Sequence, residues 1–144
     1  MTTSARVLIA DSNERMRAIY AKGLADYGFE VATTADGIDC IAALRRFAPE
    51  ALVLDPDLPW GGGAGVLARM HEETDLPYVP VILLSANPDP WLHERFASFP
   101  NCDCHLKPMA PSMLAYQIEL SLEEPFPPRR MGGAQRVPEL PCGS

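Results

Sequence analysis

The 144-residue sequence has no apolar run that approaches the roughly 20 residues of a membrane-spanning helix. Its first residues, Met1 to Ser4, also lack the basic and then apolar order of a signal peptide. Its four cysteines, at positions 40, 102, 104 and 142, do not follow the spacing of a disulfide-bonded secreted domain. We therefore expect a cytoplasmic protein with reduced thiols and no membrane association.

Basic residues are in the minority, with 12 Lys and Arg against 19 Asp and Glu and a formal net charge of −7. A chain with this charge is repelled by the phosphates of nucleic acids and by anionic lipids. Direct binding to nucleic acid is therefore not expected.

Proline and glycine are concentrated near the C-terminal end of the sequence. Residues 125–144 hold five of the 15 prolines and three of the 10 glycines, without apolar periodicity. They also hold three of the 12 basic and one of the 19 acidic residues, so the negative charge belongs to residues 1–124. A segment of that length can bury a core without disulfides or a structural metal. We predict one folded domain at 1–124 and a disordered Pro/Gly-rich tail or linker at 125–144.

Short apolar runs alternate with segments of helical periodicity within residues 1–124. This is the pattern of βα units that form a parallel sheet in an α/β fold. Strands are predicted at 6–10, 29–33, 51–55, 79–84 and 102–106. The first helix is predicted from apolar residues at intervals of three and four: Met16, Ile19, Tyr20, Leu24 and Tyr27. The second is expected to bury Ile38, Ile41 and Leu44, the third to cover 65–72, the fourth to start near Pro88 or Pro90, and the fifth to cover 111–122.

Polar side chains stand at the ends of four of the five predicted strands. Asp11 follows the first, Asp55 ends the third with Asp57 two residues later, Ser85 follows the fourth and Lys107 follows the fifth. In an open parallel sheet the carboxyl ends of the strands meet at one edge. Carboxylates there can hold Mg2+ or act as a nucleophile, while Ser and Lys can contact phosphoryl oxygens. Any one of these residues alone is more typical of a cap or a surface charge, but together they favour a phosphoryl-transfer site.

This arrangement resembles the receiver domain of response regulators, the phosphate-accepting half of two-component signalling. The resemblance spans residues 6–122 in family order. It is carried by Val7-Leu8-Ile9-Ala10-Asp11, Ala35-Asp36-Gly37, Pro49-Glu50-Ala51-Leu52-Val53-Leu54-Asp55 continuing to Leu58-Pro59, Val81-Ile82-Leu83-Leu84-Ser85-Ala86, and Leu106-Lys107-Pro108. It implies a flavodoxin-like (βα)5 fold, a doubly wound parallel sheet with strand order 2-1-3-4-5.

The resemblance also implies how a phosphoryl group is accepted. Asp55 would take it from the phosphohistidine of a histidine kinase or phosphotransfer protein, with Mg2+ held by Asp11, Asp55 and the backbone carbonyl of Asp57. Ser85 would hydrogen-bond to the phosphoryl group, and Lys107 would form an ion pair with it. The chain would then be a signalling switch that turns over no separate substrate.

Other positions are implied to complete this site. The backbone N–H groups of Asp57 and Ala86 would form the rest of the phosphoryl cradle, and the Lys107–Pro108 peptide bond is expected to be cis. Asn87, together with the residue at position 104, is expected to tune the switch.

Three positions depart from the family pattern. Ser12 stands where the family has a second acid, so weaker Mg2+ binding is expected because the site has few protein ligands. Cys104 stands where the family often has a Tyr or Phe that moves with the switch. Trp60 introduces an aromatic ring into an unusually glycine-rich loop. The ring could gate access to the site or contact a partner, but packing over the loop is favoured.

Cys102, Cys104 and His105 carry side chains that can bind zinc, but their spacing argues against a zinc site. Two cysteines at alternate strand positions are more typical of small buried groups than of zinc ligands, which usually come in two separated pairs. His71 and His93 lack a metal-site partner in the sequence, and we expect both at the surface.

Two other functions share part of this pattern. A pseudo-receiver would have the same fold and act as a protein-interaction module without phosphotransfer, which the departures at Ser12 and Cys104 favour. A haloacid-dehalogenase-like phosphatase also uses a strand-end Asp, an acid two residues later, a Ser or Thr and a Lys, but needs a further acidic pair. The resemblance places an unknown downstream partner on the fourth helix, fifth strand and fifth helix, and leaves room for a homodimer. On this chain that surface would include His93, Arg95, Tyr116 and Glu119.

Overall fold

A computed structural model describes residues 4–87 and 89–124, in which five strands alternate with five helices. The strands are β1 (Arg6–Ala10), β2 (Glu30–Thr34), β3 (Ala51–Leu54), β4 (Val81–Ser85) and β5 (Cys102–Leu106). The helices are α1 (Glu14–Asp26), α2 (Gly37–Phe47), α3 (Gly62–Glu72), α4 (Leu92–Arg95) and α5 (Pro111–Glu123). The predicted tail at 125–144 lies outside the described residues.

The five strands form one parallel sheet in the order β2-β1-β3-β4-β5. This confirms the predicted fold class and strand order. Every residue of β3 and β4 is buried, as are four of the five residues of β1. The edge strands β2 and β5 are partly exposed. Helices cover both faces of such a sheet, which explains why its central strands are continuous apolar runs.

Two separate cores lie on the two faces of the sheet. In β1, Leu8 and Ala10 belong to the core shared with α2, α3 and α4, while Val7 and Ile9 belong to the core shared with α1 and α5. This alternation follows from the two-residue period of a strand. Burial of each large aliphatic side chain contributes about 1.5–3 kcal/mol. The two cores therefore fix the sheet and leave its carboxyl edge to the loops.

Three predicted strands differ from the observed ones by one or two residues at their ends, and two of the starts differ for a backbone reason. Strand β2 begins at Glu30 and not at Phe29, because the Phe29 N–H donates to Leu24 O at the end of α1. Strand β4 begins at Val81 and not at Val79, since Pro80 has no N–H to donate to a ladder.

The helices also depart from the predicted pattern. Helix α3 begins three residues earlier than expected, at Gly62. Helix α4 is only four residues long and begins at Leu92, because Asp89 first forms a turn in which its side chain accepts from the Trp91 N–H at 2.9 Å. Ile38 is 62% exposed and not buried, since it lies in the first turn of α2. Ile19 and Tyr27 of the predicted apolar stripe are exposed too.

The loops at the carboxyl edge are held by helix caps and by one close backbone contact. Asn13 caps α1 by accepting from the Met16 N–H at 3.0 Å. The Gly37 N–H donates to Pro59 O at 2.7 Å, and a Cβ at Gly37 would overlap the carbonyl oxygen of Trp60. The glycine thus lets α2 approach the loop between β3 and α3. Within residues 4–87 and 89–124, no helix has the length and apolarity to cross a bilayer.

Candidate functional site

Four polar residues predicted from the strand ends meet at the carboxyl edge of the sheet. Asp11 follows β1, Asp55 follows β3, Ser85 ends β4 and Lys107 follows β5. Backbone bonds fix their places, because the Asp55 N–H donates to Ala10 O at 3.0 Å and the Lys107 N–H donates to Ser85 O at 2.8 Å. Asp11, Asp55 and Ser85 are buried.

The ammonium group of Lys107 lies between the two buried carboxylates. Its Nζ is 2.6 Å from Asp11 Oδ2 and 3.2 Å from Asp55 Oδ2. The Lys107 side chain is only 8% exposed. Buried charges are stable only when they are paired, so this cation offsets much of the repulsion between the two acids.

Backbone N–H groups bind the other oxygen of each carboxylate. The Asn13 N–H donates to Asp11 Oδ1 at 2.9 Å, and the Asp57 N–H donates to Asp55 Oδ1 at 2.8 Å. Each carboxylate is thus oriented by the loop that follows it, with Oδ2 directed towards Lys107. The Lys107–Pro108 peptide bond is cis, as the family resemblance implies.

The electrostatics of the acid at position 55 are set by competition between burial and its neighbours. Burial raises the pKa of Asp55 above its usual value of 3.8, and the Asp57 N–H and the Lys107 ammonium oppose this without reversing it. For Lys107, burial alone would lower the pKa, but the bond to Asp11 and the charge of Asp55 leave it raised. The lysine is therefore charged, and the carboxylate of Asp55 is partly desolvated, as suits a nucleophile.

The Ser85 hydroxyl is engaged with its own loop. Ser85 Oγ donates to Asn87 O at 3.0 Å and accepts from the Asn87 N–H at 3.2 Å. The Asn87 side chain in turn donates through Nδ2 to Asp57 Oδ2 at 3.1 Å. Asn87 therefore joins the loop after β4 to the loop after β3.

The oxygen donors at this edge fit a hard divalent cation only in part. The predicted ligands are the carboxylates of Asp11 and Asp55 and the backbone carbonyl of Asp57, and these are the ligand types that Mg2+ prefers. Ser12 is exposed and adds no carboxylate. Among residues 4–87 and 89–124, no group of three or more His, Cys, Asp or Glu side chains is arranged to hold a metal. An ion here would depend on two carboxylates, a carbonyl and water.

The other predicted positions lie in the loop after β4, in β5 and on the predicted partner surface. Ala86 is exposed in the loop after β4. Cys104 packs against the core shared with α2, α3 and α4. It also lines a groove of about 270 Å³ together with Leu92, His93 and Leu106. Burial raises the pKa of the Cys104 thiol. The residues of the predicted partner surface are all exposed, namely His93, Arg95, Tyr116 and Glu119.

Two of the sequence interpretations are wrong. Trp60 does not pack over its loop: its side chain is 71% exposed and its φ is 62°, which turns it towards solvent. His71 is not a surface residue. Its Nε2 lies 2.8 Å from Asn101 Oδ1, and its ring packs against those of Tyr78 and Phe99.

The sequence pattern missed two residues of α1 that contact the site. Arg17 donates through Nη1 to the carbonyl oxygen of Asp11 at 2.8 Å. Tyr20 accepts from the Met109 N–H at 3.3 Å, just beyond Lys107. The sequence marks Tyr20 only as part of an apolar stripe. No motif in it signals a hydrogen bond between Tyr20 and a residue 89 positions away.

Comparison with known proteins gives a consistent result. The family model for the response regulator receiver domain matches residues 7–119. Among curated relatives, the transcriptional regulatory protein PrrA of Mycobacterium tuberculosis is 38% identical over 85 residues, covering 58% of this chain and 35% of that protein. A protein-glutamate methylesterase/protein-glutamine glutaminase of Anaeromyxobacter dehalogenans is 36% identical over 107 residues, covering 73% of this chain and 30% of that protein. The chain thus spans about a third of the length of these two relatives.

Solved structures share the fold. The chemotaxis response regulator CheY4 of Vibrio cholerae superposes with a TM-score of 0.75 at 22% identity, covering 83% of this chain and 99% of that one. A CheY-like receiver domain protein of Methanospirillum hungatei gives a TM-score of 0.74 at 21% identity, covering 84% of this chain and 95% of that one.

Proposed function

Because the chain belongs to the response regulator receiver domain family, we propose that Asp55 accepts a phosphoryl group and that the domain acts as a phosphorylation-dependent switch. Receiver domains are the signalling switches of two-component systems, and the receiver model matches residues 7–119 of this chain. The observation that carries the proposal is the contact of one buried lysine with two buried acids at the carboxyl edge of the sheet.

In the proposed reaction, a carboxylate oxygen of Asp55 attacks the phosphorus of a phosphohistidine on a histidine kinase or phosphotransfer protein. The new bond joins oxygen to phosphorus while the phosphorus–nitrogen bond breaks, and the imidazole leaves with the electron pair. Desolvation of the Asp55 carboxylate, visible in its raised pKa, makes it a better nucleophile than an exposed acid.

Lys107 is proposed to neutralise the incoming group. Its ammonium contacts Asp55 Oδ2 at 3.2 Å, so it lies beside the position that phosphoryl oxygens would occupy. The cation does not need to enter the site during the reaction, which lowers the reorganisation required. The Asp57 N–H now donates to Asp55 Oδ1. We propose that it exchanges this bond for one with a phosphoryl oxygen.

Ser85 is proposed to turn towards the phosphoryl group after transfer. Its hydroxyl must first exchange its two contacts with the Asn87 backbone for one with a phosphoryl oxygen. That exchange would shift the loop after β4 and, through it, the neighbouring α4 and β5. A local change of this kind biases a pre-existing equilibrium between two arrangements.

Asp11, Asp55 and the carbonyl of Asp57 are the proposed ligands of Mg2+. When bound, the ion would neutralise part of the negative charge that builds up between carboxylate and phosphoryl group. Because position 12 is a serine, we propose that binding is weaker than two adjacent acids would give. The proposed partners are a kinase or phosphotransfer protein and a downstream protein on the surface of α4, β5 and α5, in the cytoplasm.

The test is to incubate the protein with acetyl phosphate and Mg2+ and to follow its intact mass. A gain of one phosphoryl group that is lost in Asp55→Asn and kept in Asp103→Asn supports the proposal. Asp103 is a suitable control because it is an exposed acid on β5. No adduct at any Mg2+ concentration would instead support the pseudo-receiver, and sustained release of phosphate from small phosphomonoesters would support a phosphatase.

A further inference from the structure

Helix α1 contacts the segment that carries Lys107 into the site. Residues 107–110 connect β5 to α5, and the Met109 N–H in this segment donates to the hydroxyl oxygen of Tyr20 at an N···O distance of 3.3 Å. The backbone N–H of Lys107 donates to Ser85 O, at the end of β4. The bond to Tyr20 therefore fixes the far side of the lysine.

The Tyr20 hydroxyl does more than the core requires. Tyr20 is 1% exposed, and its ring packs in the core shared with α1 and α5, with Leu24, Leu114 and Ile118. A phenylalanine ring would fill the same space. A buried hydroxyl is stable only with a hydrogen-bond partner, and here that partner is the backbone of the Lys107 segment.

A second contact lies one helical turn further along α1. Gly23 faces Pro111, the first residue of α5, so closely that a Cβ at Gly23 would overlap the Pro111 ring. Residues three apart lie on the same face of a helix, so Tyr20 and Gly23 together contact Met109 in the connection and Pro111 directly after it.

The beginning of α1 holds the acid that pairs with Lys107. The Asn13 N–H donates to Asp11 Oδ1, and Arg17 donates to the Asp11 carbonyl oxygen at 2.8 Å. Helix α1 and its N-cap thus contact Asp11 and, through Tyr20, a residue two positions after Lys107. A shift of α1 relative to this segment would therefore change the separation of the two charges.

We propose that Tyr20 is a positioning residue, whose hydroxyl holds Met109 so that the Lys107 ammonium stays between Asp11 and Asp55. The importance of that ammonium rests on the proposed function. The contact itself can be tested without phosphorylation.

The sequence supplies an internal reference, since it contains only two lysines, Lys22 and Lys107. Their side chains are 80% and 8% exposed. We would label the folded protein by reductive methylation with formaldehyde and a borohydride reductant, and follow each lysine by peptide mass spectrometry. In the wild type, Lys107 should react much more slowly than Lys22. In Tyr20→Phe the Lys107 rate should rise about fivefold, the factor that corresponds to one ordinary hydrogen bond, with Lys22 unchanged.

Two further variants keep the test specific. Tyr116→Phe removes a hydroxyl from an exposed tyrosine of α5 and should leave the Lys107 rate unchanged. Gly23→Ala should raise it, because the added methyl group displaces Pro111. The free energy of unfolding of each variant is measured in urea alongside the labelling.

An unchanged ratio of Lys107 to Lys22 labelling in Tyr20→Phe would overturn the proposal. So would a rise that only matches the increase in the unfolded fraction, because Tyr20 would then serve stability alone. Failure of the wild type to accept a phosphoryl group would contradict the proposed function but would not change this labelling ratio, so the two outcomes can be told apart.

Discussion

The Lys107 ammonium lies closer to Asp11 than to Asp55, at 2.6 Å against 3.2 Å. Asp11 is thus the principal counter-ion in this arrangement, and the Asp55 carboxylate keeps the weaker bond. An incoming phosphoryl group needs to displace only that weaker bond. The lysine can then remain anchored on Asp11 during the reaction.

Removal of this cation should destabilise the protein strongly. Lys107→Gln leaves two buried carboxylates without their counter-charge, and the loss of one partner from such a cluster costs about 3–5 kcal/mol. Urea unfolding at neutral pH with a chelator measures the effect, and millimolar Mg2+ should restore part of it. The control is Lys22→Gln, at an exposed lysine paired with Asp26. Equal stability of the two variants would contradict the prediction.

The pH dependence of stability should show the raised pKa of Asp55. Between the usual value of 3.8 and the higher native pKa, the folded state binds more protons than the unfolded state, so the free energy of unfolding falls as pH rises. Above that window the ionised carboxylate remains a cost to the fold. Asp55→Asn should therefore be more stable than the wild type at neutral pH, with the difference vanishing as pH falls below 3.8. A less stable variant at neutral pH would show that the Lys107 bond outweighs burial.

Affinity for Mg2+ should respond to the residue after Asp11. Ser12 is exposed beside the two carboxylates, so Ser12→Asp adds a negative charge at the edge of the site. We expect calorimetric titration to show tighter Mg2+ binding by about tenfold, far less than unscreened attraction would give, because the position is hydrated. The control is Ser12→Asn, whose side chain has the shape of Asp but no charge. It should leave the affinity near that of the wild type. Equal affinities for the two variants would place the ion elsewhere.

The bridge between Asn87 and Asp57 should restrain phosphorylation more than it stabilises the fold. Both side chains are exposed, so Asn87→Ala should change the free energy of unfolding little. It frees the loop whose backbone holds the Ser85 hydroxyl, and the initial rate of mass gain with acetyl phosphate should rise about fivefold, equivalent to about 1 kcal/mol. Asn87→Gln keeps an amide that can still reach Asp57 and should show a smaller change. A slower Asn87→Ala variant would mean that the bridge assists transfer.

Much of the sheet could be predicted from sequence because buried parallel strands are distinctive. The apolar run at 51–54 has no other stable location, and the strand-end residues Asp11, Asp55 and Lys107 then meet by topology. The exposure of Ile38 could not be predicted from sequence. The helical period predicts which face of α2 is apolar, but not which of its turns lies over the sheet. The bond from Met109 to Tyr20 depends on the packing of α5 against α1, which no local pattern encodes.

Two glycines at different distances from their surroundings should respond to alanine in opposite directions. A Cβ at Gly37 would overlap the Trp60 carbonyl oxygen, a backbone atom that can move only if the loop between β3 and α3 moves with it. Overpacking of this kind costs about 1–3 kcal/mol, and Gly37→Ala should also shift the amide resonance of Asp57 in that loop. At Gly65, within α3, nothing lies within 4 Å of the added methyl group. Gly65→Ala should therefore stabilise the protein by about 0.5–1 kcal/mol through the lower backbone entropy of alanine in the unfolded chain. Urea unfolding of both variants measures the two effects, and a Gly37→Ala variant at least as stable as the wild type would contradict the close approach of α2 to this loop.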